Sequence, residues 1–130
     1  MPHFILEYTD NIKGEADIPG LLRKVNETLI RFSHIFPIGG IRSRAIELHD
    51  YVVADGSQDD AFVHATLKIG AGRSEADKKA VGDALFGVIK EHFASLYERR
   101  GLALSMEIYE FSEAGTYKHN NIHARYKNKK

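Results

Sequence analysis

Alternation of apolar and polar positions predicts four β-strands along the chain. The first spans Phe4 to Tyr8, the second spans Ile41 to Val53, the third spans Ala61 to Ile69 and the fourth spans Leu102 to Phe111. These segments are rich in β-branched and aromatic residues, and turn residues such as glycine, proline and aspartate lie between them. Four short strands with turns between them indicate a small β-sheet.

Apolar residues at helical spacing predict one helix inside each half of the chain. Asp17 is a suitable N-cap for the first helix, which has Pro19 in its first turn and ends before Gly39. Ser74 is a suitable N-cap for the second, which ends near Gly101. The apolar stripes are Ile18, Leu21, Leu22, Val25, Leu29 and Phe32 in the first helix, and Val81, Ala84, Leu85, Val88, Ile89, His92 and Leu96 in the second.

The order strand, helix, strand therefore occurs twice. We expect a single domain over residues 1–130, made of two β-α-β units at about 2–55 and 61–111 and a tail at 112–130. Each unit is long enough for a right-handed parallel crossover. Two units side by side form a four-stranded mixed sheet with two helices on one face, which is an α+β fold. The other sheet face also carries apolar residues, so we expect a small symmetric oligomer to cover it.

Composition narrows the class of protein. The 130 residues carry 18 Lys plus Arg against 18 Asp plus Glu, a balance that argues against a nucleic-acid coat or a polybasic membrane binder. There is no cysteine, which excludes thiol catalysis, zinc thiolates and disulfides. No stretch approaches the ~20 apolar residues of a membrane span, and the first residues do not resemble an export signal. We expect a cytoplasmic protein with no nucleic-acid or membrane partner.

Pro2 is a candidate catalytic base. A small second residue favours removal of Met1, and removal leaves a secondary amine at the chain terminus. Burial and neighbouring cations disfavour the charged form of an amine, so they lower its pKa toward neutrality. The alternative is that proline, a common residue, merely follows the initiator methionine.

Two arginines on the second strand are candidate anion ligands. Arg42 and Arg44 are two residues apart, so both side chains lie on one side of the strand, and a crossover places that strand beside the first. A guanidinium binds a carboxylate with two parallel hydrogen bonds. The alternative is a solvated face on which these arginines pair with Glu7 or Glu47.

The segment from Gly70 to Ser74 joins the third strand to the second helix. Such a loop can present backbone N–H groups, the positive end of the helix dipole and the Arg73 guanidinium to an anion. Its glycines are too close for a dinucleotide motif, and no lysine follows them as in a nucleotide-binding P-loop. The alternative is a tight turn before a capped helix.

Histidines and terminal lysines are weaker signals. His119 and His123 are four residues apart but lack the glutamate of a zinc-protease helix, so we predict no metal site. Lys127, Lys129 and Lys130 are typical of a solvated tail.

Several segments, in the same order and at similar spacing, resemble one known family. They are Pro2-His3-Phe4-Ile5, Phe36-Pro37-Ile38-Gly39-Gly40-Ile41-Arg42-Ser43-Arg44, Ala54-Asp55-Gly56, Phe62-Val63-His64, Leu67-Lys68-Ile69-Gly70-Ala71-Gly72-Arg73-Ser74 and Asn120-Asn121-Ile122-His123-Ala124-Arg125. Together they resemble the 5-carboxymethyl-2-hydroxymuconate isomerases of the tautomerase superfamily. The likeness extends over nearly the whole chain.

The resemblance implies a homotrimer without a cofactor, acting in homoprotocatechuate catabolism on a small unsaturated polycarboxylate. The substrate would be a dienol with three carboxylates, and the product its conjugated ketone. Pro2 would carry the proton, Arg42 and Arg73 would hold the carboxylates and the 2-oxygen, and Arg44 would also contact substrate. Two alternatives stay open: a related tautomerase for another 2-hydroxydienoate, and a trimeric binding protein of the same fold without catalysis.

Overall fold

Four strands form one mixed sheet in the computed structural model, which describes residues 1–127. The strands are β1 (His3–Thr9), β2 (Arg42–Leu48), β3 (Ala61–Gly70) and β4 (Leu102–Phe111). Their spatial order is β2-β1-β3-β4. Strand β1 runs parallel to β2 and antiparallel to β3, and β3 runs parallel to β4. The predicted four-stranded mixed sheet is confirmed.

Four helices connect the strands in the described part of the chain. They are α1 (Lys13–Ala16), α2 (Ile18–Ile30), α3 (Glu75–His92) and α4 (Ala94–Arg99), with short 3-10 turns at Asp10–Ile12, Ile38–Gly40 and Ile122–Tyr126. Both predicted caps are present: the Gly20 amide donates to the Asp17 carboxylate, and the Asp77 amide donates to the Ser74 hydroxyl. The second predicted helix is two helices, because the backbone leaves helical geometry at Phe93. No helix within residues 1–127 is long and apolar enough to cross a membrane.

The core lies between one face of the sheet and the long helices α2 and α3. Every second residue of the central strands is buried there, as the spacing of the apolar residues predicts. The apolar stripes of both helices are buried against these residues. The central members are Phe4, Leu6, Val63, Ala65, Leu67, Leu21, Val25, Leu29, Val81, Leu85 and Ile89. Both helices therefore cover one face, and no helix of the described residues 1–127 covers the opposite, helix-free face of the sheet.

Strand β2 is shorter than the predicted Ile41 to Val53. It ends at Leu48 because its partner β1 ends at Thr9, the residue paired with Leu48, so no strand remains beside it to bond. The next residues turn toward the loop after β1. The His49 Nδ1 lies 2.9 Å from the Asp10 Oδ2, and the Tyr51 hydroxyl donates to the Asp10 Oδ1 at 3.0 Å.

Strand directions bring four chain segments to one end of the sheet. Strands β1 and β2 begin there, whereas the antiparallel β3 and the parallel β4 end there. The Ala71 amide donates to the Phe111 carbonyl oxygen at 3.1 Å, and this hydrogen bond joins the chain just after β3 to the end of β4. Pro2, Arg42, the loop that carries Arg73 and the residues after β4 consequently meet. The chain after β4 is the C-terminal segment, residues 112–127; Lys129 and Lys130 of the predicted basic tail lie outside the described residues.

Gly87 and Gly56 provide a matched test of local backbone energetics. Gly87 is exposed inside α3 with no atom within 4 Å of an added Cβ, whereas Gly56 has a φ of +78°. We expect Gly87→Ala to raise the free energy of unfolding by roughly 0.5–1 kcal/mol, because alanine loses less entropy in a helix. Gly56→Ala should lower it by about 1–2 kcal/mol, because alanine is strained at that φ. Urea unfolding at one protein concentration measures both, and stabilisation by Gly56→Ala would contradict the backbone assignment.

Candidate active site at the start of the first strand

The chain terminus lies between β1 and β2. Pro2 is buried, and its carbonyl oxygen accepts a hydrogen bond from the Arg42 amide at 3.2 Å. Strand register pairs His3 with Arg42, which places the predicted arginine one residue from Pro2. Met1 lies over this position: its Sδ is 3.1 Å from the Arg42 Nη1, and its Cα is 3.4 Å from where a Cβ on Gly40 would stand. Met1 therefore occupies the space in front of the Arg42 guanidinium.

Arg73 reaches the same end of the sheet from the loop after β3. The left-handed φ of +102° at Gly72 allows the turn that precedes it. The guanidinium donates from Nη2 to the Ile35 carbonyl oxygen at 3.2 Å and lies 5.8 Å from the centre of the Phe36 ring. The Arg73 Nε is buried and has no hydrogen-bond partner among residues 1–127. Because an unpaired buried donor is costly, this N–H is suited to an anionic ligand.

The α-amine at the chain terminus is in an environment that favours its neutral form. Burial lowers the pKa of the Met1 amine below its ordinary value, and the charges of Arg73 and Lys118 lower it further. Glu113 acts in the opposite direction, and Arg42 adds a smaller lowering effect. An uncharged amine surrounded by cations can accept a proton and can also lie beside carboxylates held by those cations.

Arg44 is placed differently from the other two predicted arginines. Its side chain is exposed on the helix-free face, and its Nη1 lies 3.2 Å from the His3 Nδ1. Burial, followed by the charges of Arg44 and Arg42, holds the pKa of His3 below its ordinary value, so the imidazole accepts from the guanidinium. The structure therefore brings Pro2, Arg42 and Arg73 together and leaves Arg44 beside them.

The C-terminal segment forms a wall of the site that the sequence reasoning did not assign. The Glu113 carboxylate lies 3.6 Å from where a Cβ on Gly70 would stand, and Lys118 pairs with it. The Asn120 Nδ2 donates to the Gly39 carbonyl oxygen at 2.9 Å, and His123 packs against Gly39. The available signal was topological: β4 ends beside β3, so the residues that follow it must begin at the site.

Gly39 tests whether this wall matters. A Cβ on Gly39 would lie 2.8 Å from the His123 Cα and 2.9 Å from its amide nitrogen, both backbone atoms that cannot move independently. We expect Gly39→Ala to displace the C-terminal segment and to increase its cleavage by trypsin several-fold. Gly14→Ala, with no atom within 4 Å of the added Cβ, is the matched control. Unchanged cleavage in Gly39→Ala would show that the segment does not dock there.

Three side chains of types that can bind a metal ion lie together away from the candidate site. Asp10, Glu47 and His49 offer ligand atoms within 4.8 Å of one another, but Glu47 pairs with Lys13 and Asp10 with His49. Neither His119 nor His123 belongs to any group of three such ligands among residues 1–127. These contacts explain the cluster as ion pairs at the opposite end of β1 from Pro2.

Known proteins match this chain over nearly its whole length. A family model described as 5-carboxymethyl-2-hydroxymuconate isomerase matches residues 2–126. The chain belongs to the 5-carboxymethyl-2-hydroxymuconate isomerase family. The resemblance in its sequence motifs is thereby confirmed, and the chain is an isomerase, not a non-catalytic binding protein of the same fold.

Two relatives of this isomerase support the same assignment, and a more distant structure shares its fold. An Escherichia coli protein named 5-carboxymethyl-2-hydroxymuconate Delta-isomerase is 54% identical over 127 residues, covering 98% of this chain and 100% of that protein. A crystal structure of a 5-carboxymethyl-2-hydroxymuconate isomerase from Deinococcus radiodurans R1 is 60% identical, with a TM-score of 0.93 over 96% of this chain and 93% of that one. A structure named W0 fused 4-OT wild type symmetric trimer, 14% identical, shares the fold with a TM-score of 0.64 over 90% of this isomerase and 93% of that chain.

Proposed function

We propose that this isomerase converts the dienol 5-carboxymethyl-2-hydroxymuconate into its conjugated 2-oxo isomer during homoprotocatechuate catabolism, with the Pro2 amine as the proton carrier. The observation that carries the proposal is the position of the buried Pro2 beside Arg42 at the start of β1. At this position, burial and the charges of Arg73 and Lys118 lower the pKa of the Met1 amine. The names of the 54% and 60% identical relatives support the choice of substrate.

The reaction needs one group that accepts a proton and then returns it. The neutral amine takes the proton from the enol oxygen, and the electron pair of that O–H bond forms the C=O bond while the double bonds shift along the chain. The resulting ammonium then delivers the same proton to a distant carbon of the conjugated system. Atoms and charge balance without a cofactor, and proton transfer by a positioned group typically contributes ~10² to 10⁴ in rate.

Removal of Met1 has two consequences for this mechanism. It converts the Pro2 nitrogen from an amide, which has no useful basicity, into a secondary amine. It also removes the Met1 thioether from the Arg42 Nη1, which lies 3.1 Å from that sulfur, and so clears the space in front of the guanidinium. One processing step would therefore create the base and open the anion site beside it.

The arginines supply the remaining electrostatics. We propose that Arg42 and Arg73 bind substrate carboxylates and the 2-oxygen, where negative charge grows as the proton leaves. The unpaired Arg73 Nε and the Arg42 Nη1 are the atoms best placed to donate. Arg44, bonded to His3 on the helix-free face, would contribute to substrate binding from the edge of the site.

We also propose a homotrimer. The helix-free sheet face carries partly exposed apolar side chains, among them Ile46 and Tyr109, which are about half exposed. Strand β4 is an open edge, and a groove of about 860 Å³ between β4 and α3 is lined by Phe86, Met106 and Ile108. A symmetric assembly would cover both surfaces. Light scattering after size-exclusion chromatography measures the mass, and a monomer would contradict this.

The test of the function combines intact mass with an absorbance assay. We expect the mature protein to lack Met1 and to accelerate ketonisation of 5-carboxymethyl-2-hydroxymuconate, followed by the change in ultraviolet absorbance. A panel of other 2-hydroxydienoates would show a lower kcat/KM. Equal activity on all of them would point to a tautomerase of different specificity, and no activity on any would reject the proposal.

A further inference from the structure

Lys118 is a cation of the site that neither the sequence motifs nor the proton transfer explains. It lies in the C-terminal segment, which leaves β4 at the same end of the sheet as Pro2. Its ammonium pairs with Glu113, whose carboxylate lies 3.6 Å from where a Cβ on Gly70 would stand, at the end of β3 beside the start of β1. The charge of Lys118, like those of Arg73 and Arg42, lowers the pKa of the Met1 amine. Three cations from three separate segments therefore converge there.

The pairing of Lys118 leaves its ammonium able to bind something else. Its Nζ lies 3.3 and 3.4 Å from the two Glu113 oxygens, longer than the about 2.7–2.9 Å of a tight charge-assisted bond. An ammonium has three donors, so a loose contact with one carboxylate leaves capacity for another. The Lys118 side chain is 40% exposed and its partner 58%, which lets both rearrange when a ligand enters.

The charge of the proposed substrate calls for a third cation. The dienol carries three carboxylates, and each carboxylate taken out of water needs a partner. Arg42 and Arg73 can account for two of them and for the 2-oxygen. Arg44 is a poorer third partner, because its Nη1 is bonded to His3 on the helix-free face. Lys118 remains: its Glu113 partner lies beside Gly70 at the end of β3, and its charge acts on the Met1 amine.

We infer that Lys118 binds the carboxylate of the substrate's carboxymethyl arm and so determines the preference of this isomerase for tricarboxylates over dicarboxylates. This assignment rests on the proposed function. Without substrate, Glu113 binds the Lys118 ammonium and holds it toward the site. When substrate binds, its carboxylate replaces the Glu113 carboxylate as the partner of that ammonium. Lys118 is then a residue that determines substrate specificity, and it belongs to the C-terminal segment that forms one wall of the site.

A purely structural role for Lys118 predicts a different result. If the pair only fastened the C-terminal segment, Lys118→Gln and Glu113→Gln would have the same effect, since either change breaks the same contact. If Lys118 binds substrate, the two variants should diverge. Lys118→Gln loses the ligand for the carboxylate, whereas Glu113→Gln removes a competitor and leaves the ammonium free.

The kinetic test compares two substrates in the processed protein. For 5-carboxymethyl-2-hydroxymuconate we expect Lys118→Gln to raise KM about tenfold with little change in kcat, the size expected of one partly exposed charge-assisted bond. KM for 2-hydroxymuconate, which lacks the carboxymethyl arm, should stay within about twofold. Glu113→Gln should leave KM equal or lower. Lys13→Gln is the matched control, because Lys13 pairs with Glu47 at the opposite end of β1 from Pro2.

A binding measurement separates this assignment from the proposed reaction. By calorimetry, wild type should bind propane-1,2,3-tricarboxylate more tightly than glutarate, and Lys118→Gln should lose that difference. Wild type that binds with this preference but catalyses nothing would reject the proposed reaction and leave the Lys118 assignment standing. Equal losses in Lys118→Gln and Glu113→Gln, or equal losses on both ligands, would overturn the assignment.

Discussion

Protein that retains Met1 should turn over the dienol about 10² to 10⁴ times more slowly than the same chain without it. The reason is chemical: an acylated Pro2 nitrogen has delocalised its electron pair and cannot accept the enol proton. Each factor of ten corresponds to about 1.4 kcal/mol of transition-state stabilisation, so the expected loss is about 3–5 kcal/mol. Met1 would also obstruct Arg42, whose Nη1 lies 3.1 Å from the thioether.

The comparison uses one polypeptide in two states. The unprocessed form is treated with a methionine aminopeptidase, and intact mass and the ketonisation rate are followed together; the two should change in proportion. Pro2→Ala separates basicity from obstruction, because the processed variant keeps an amine but not proline's secondary one. We expect KM within a small factor and a reduced kcat. Full turnover by the Met1-retaining form would remove Pro2 from the mechanism.

Arg73→Gln should lower kcat/KM for the dienol by roughly 10- to 150-fold, corresponding to the roughly 1.5–3 kcal/mol of one charge-assisted hydrogen bond. The Arg73 guanidinium has a buried Nε without a hydrogen-bond partner among residues 1–127 and lies beside the Phe36 ring, and we propose that it binds an anion. Most of the loss should appear in KM, because the proposed contact is with a carboxylate that is present in both substrate and transition state.

The same variant should shift the pH dependence in a direction that the charges determine. A base works in its neutral form, so activity is lost as pH falls through the pKa of the amine. Among the charges acting on the Met1 amine, Arg73 lowers the pKa most. We expect the Arg73 charge to act in the same direction on the Pro2 amine, which becomes the chain terminus once Met1 is removed. Removing the Arg73 charge should raise the pKa and move the acid limb of kcat/KM to higher pH, so the variant is impaired more at pH 6 than at pH 9.

Arg99→Gln is the matched control for this prediction. This variant also loses a guanidinium, but one from the surface of α4, where Arg99 pairs with Glu15 at 3.1 Å. We expect no change in kcat/KM or in its pH profile. An acid limb that stays in place in Arg73→Gln would show that this charge does not act on the base.

Local patterns were sufficient to predict most of the fold. Period-2 and period-3.6 repeats are set by backbone geometry, so the strands, the helix stripes and the caps at Asp17 and Ser74 could be derived from neighbouring residues alone. The error in β2 has a non-local cause. Whether His49 to Val53 continues as a strand depends on a partner, and β1 ends at Thr9, 39 positions before Leu48 in the chain and opposite it in the sheet.

The candidate site also contains residues that local sequence patterns identify and residues that only the folded sheet brings in. Pro2, Arg42 and Arg73 could be named as candidates from the sequence, because each has a local chemical signature. Pro2 is a potential terminal amine, Arg42 shares a strand face with another arginine, and Arg73 lies in a glycine loop before a capped helix. Lys118 and Glu113 have none, since a lysine and a glutamate in a polar tail are ordinary in any sequence. They join the site because the antiparallel pairing of β1 with β3 brings the exits of β3 and β4 to the entrance of β1. Strand direction, a property of the folded sheet as a whole, is the physical reason that these charges surround the terminal amine.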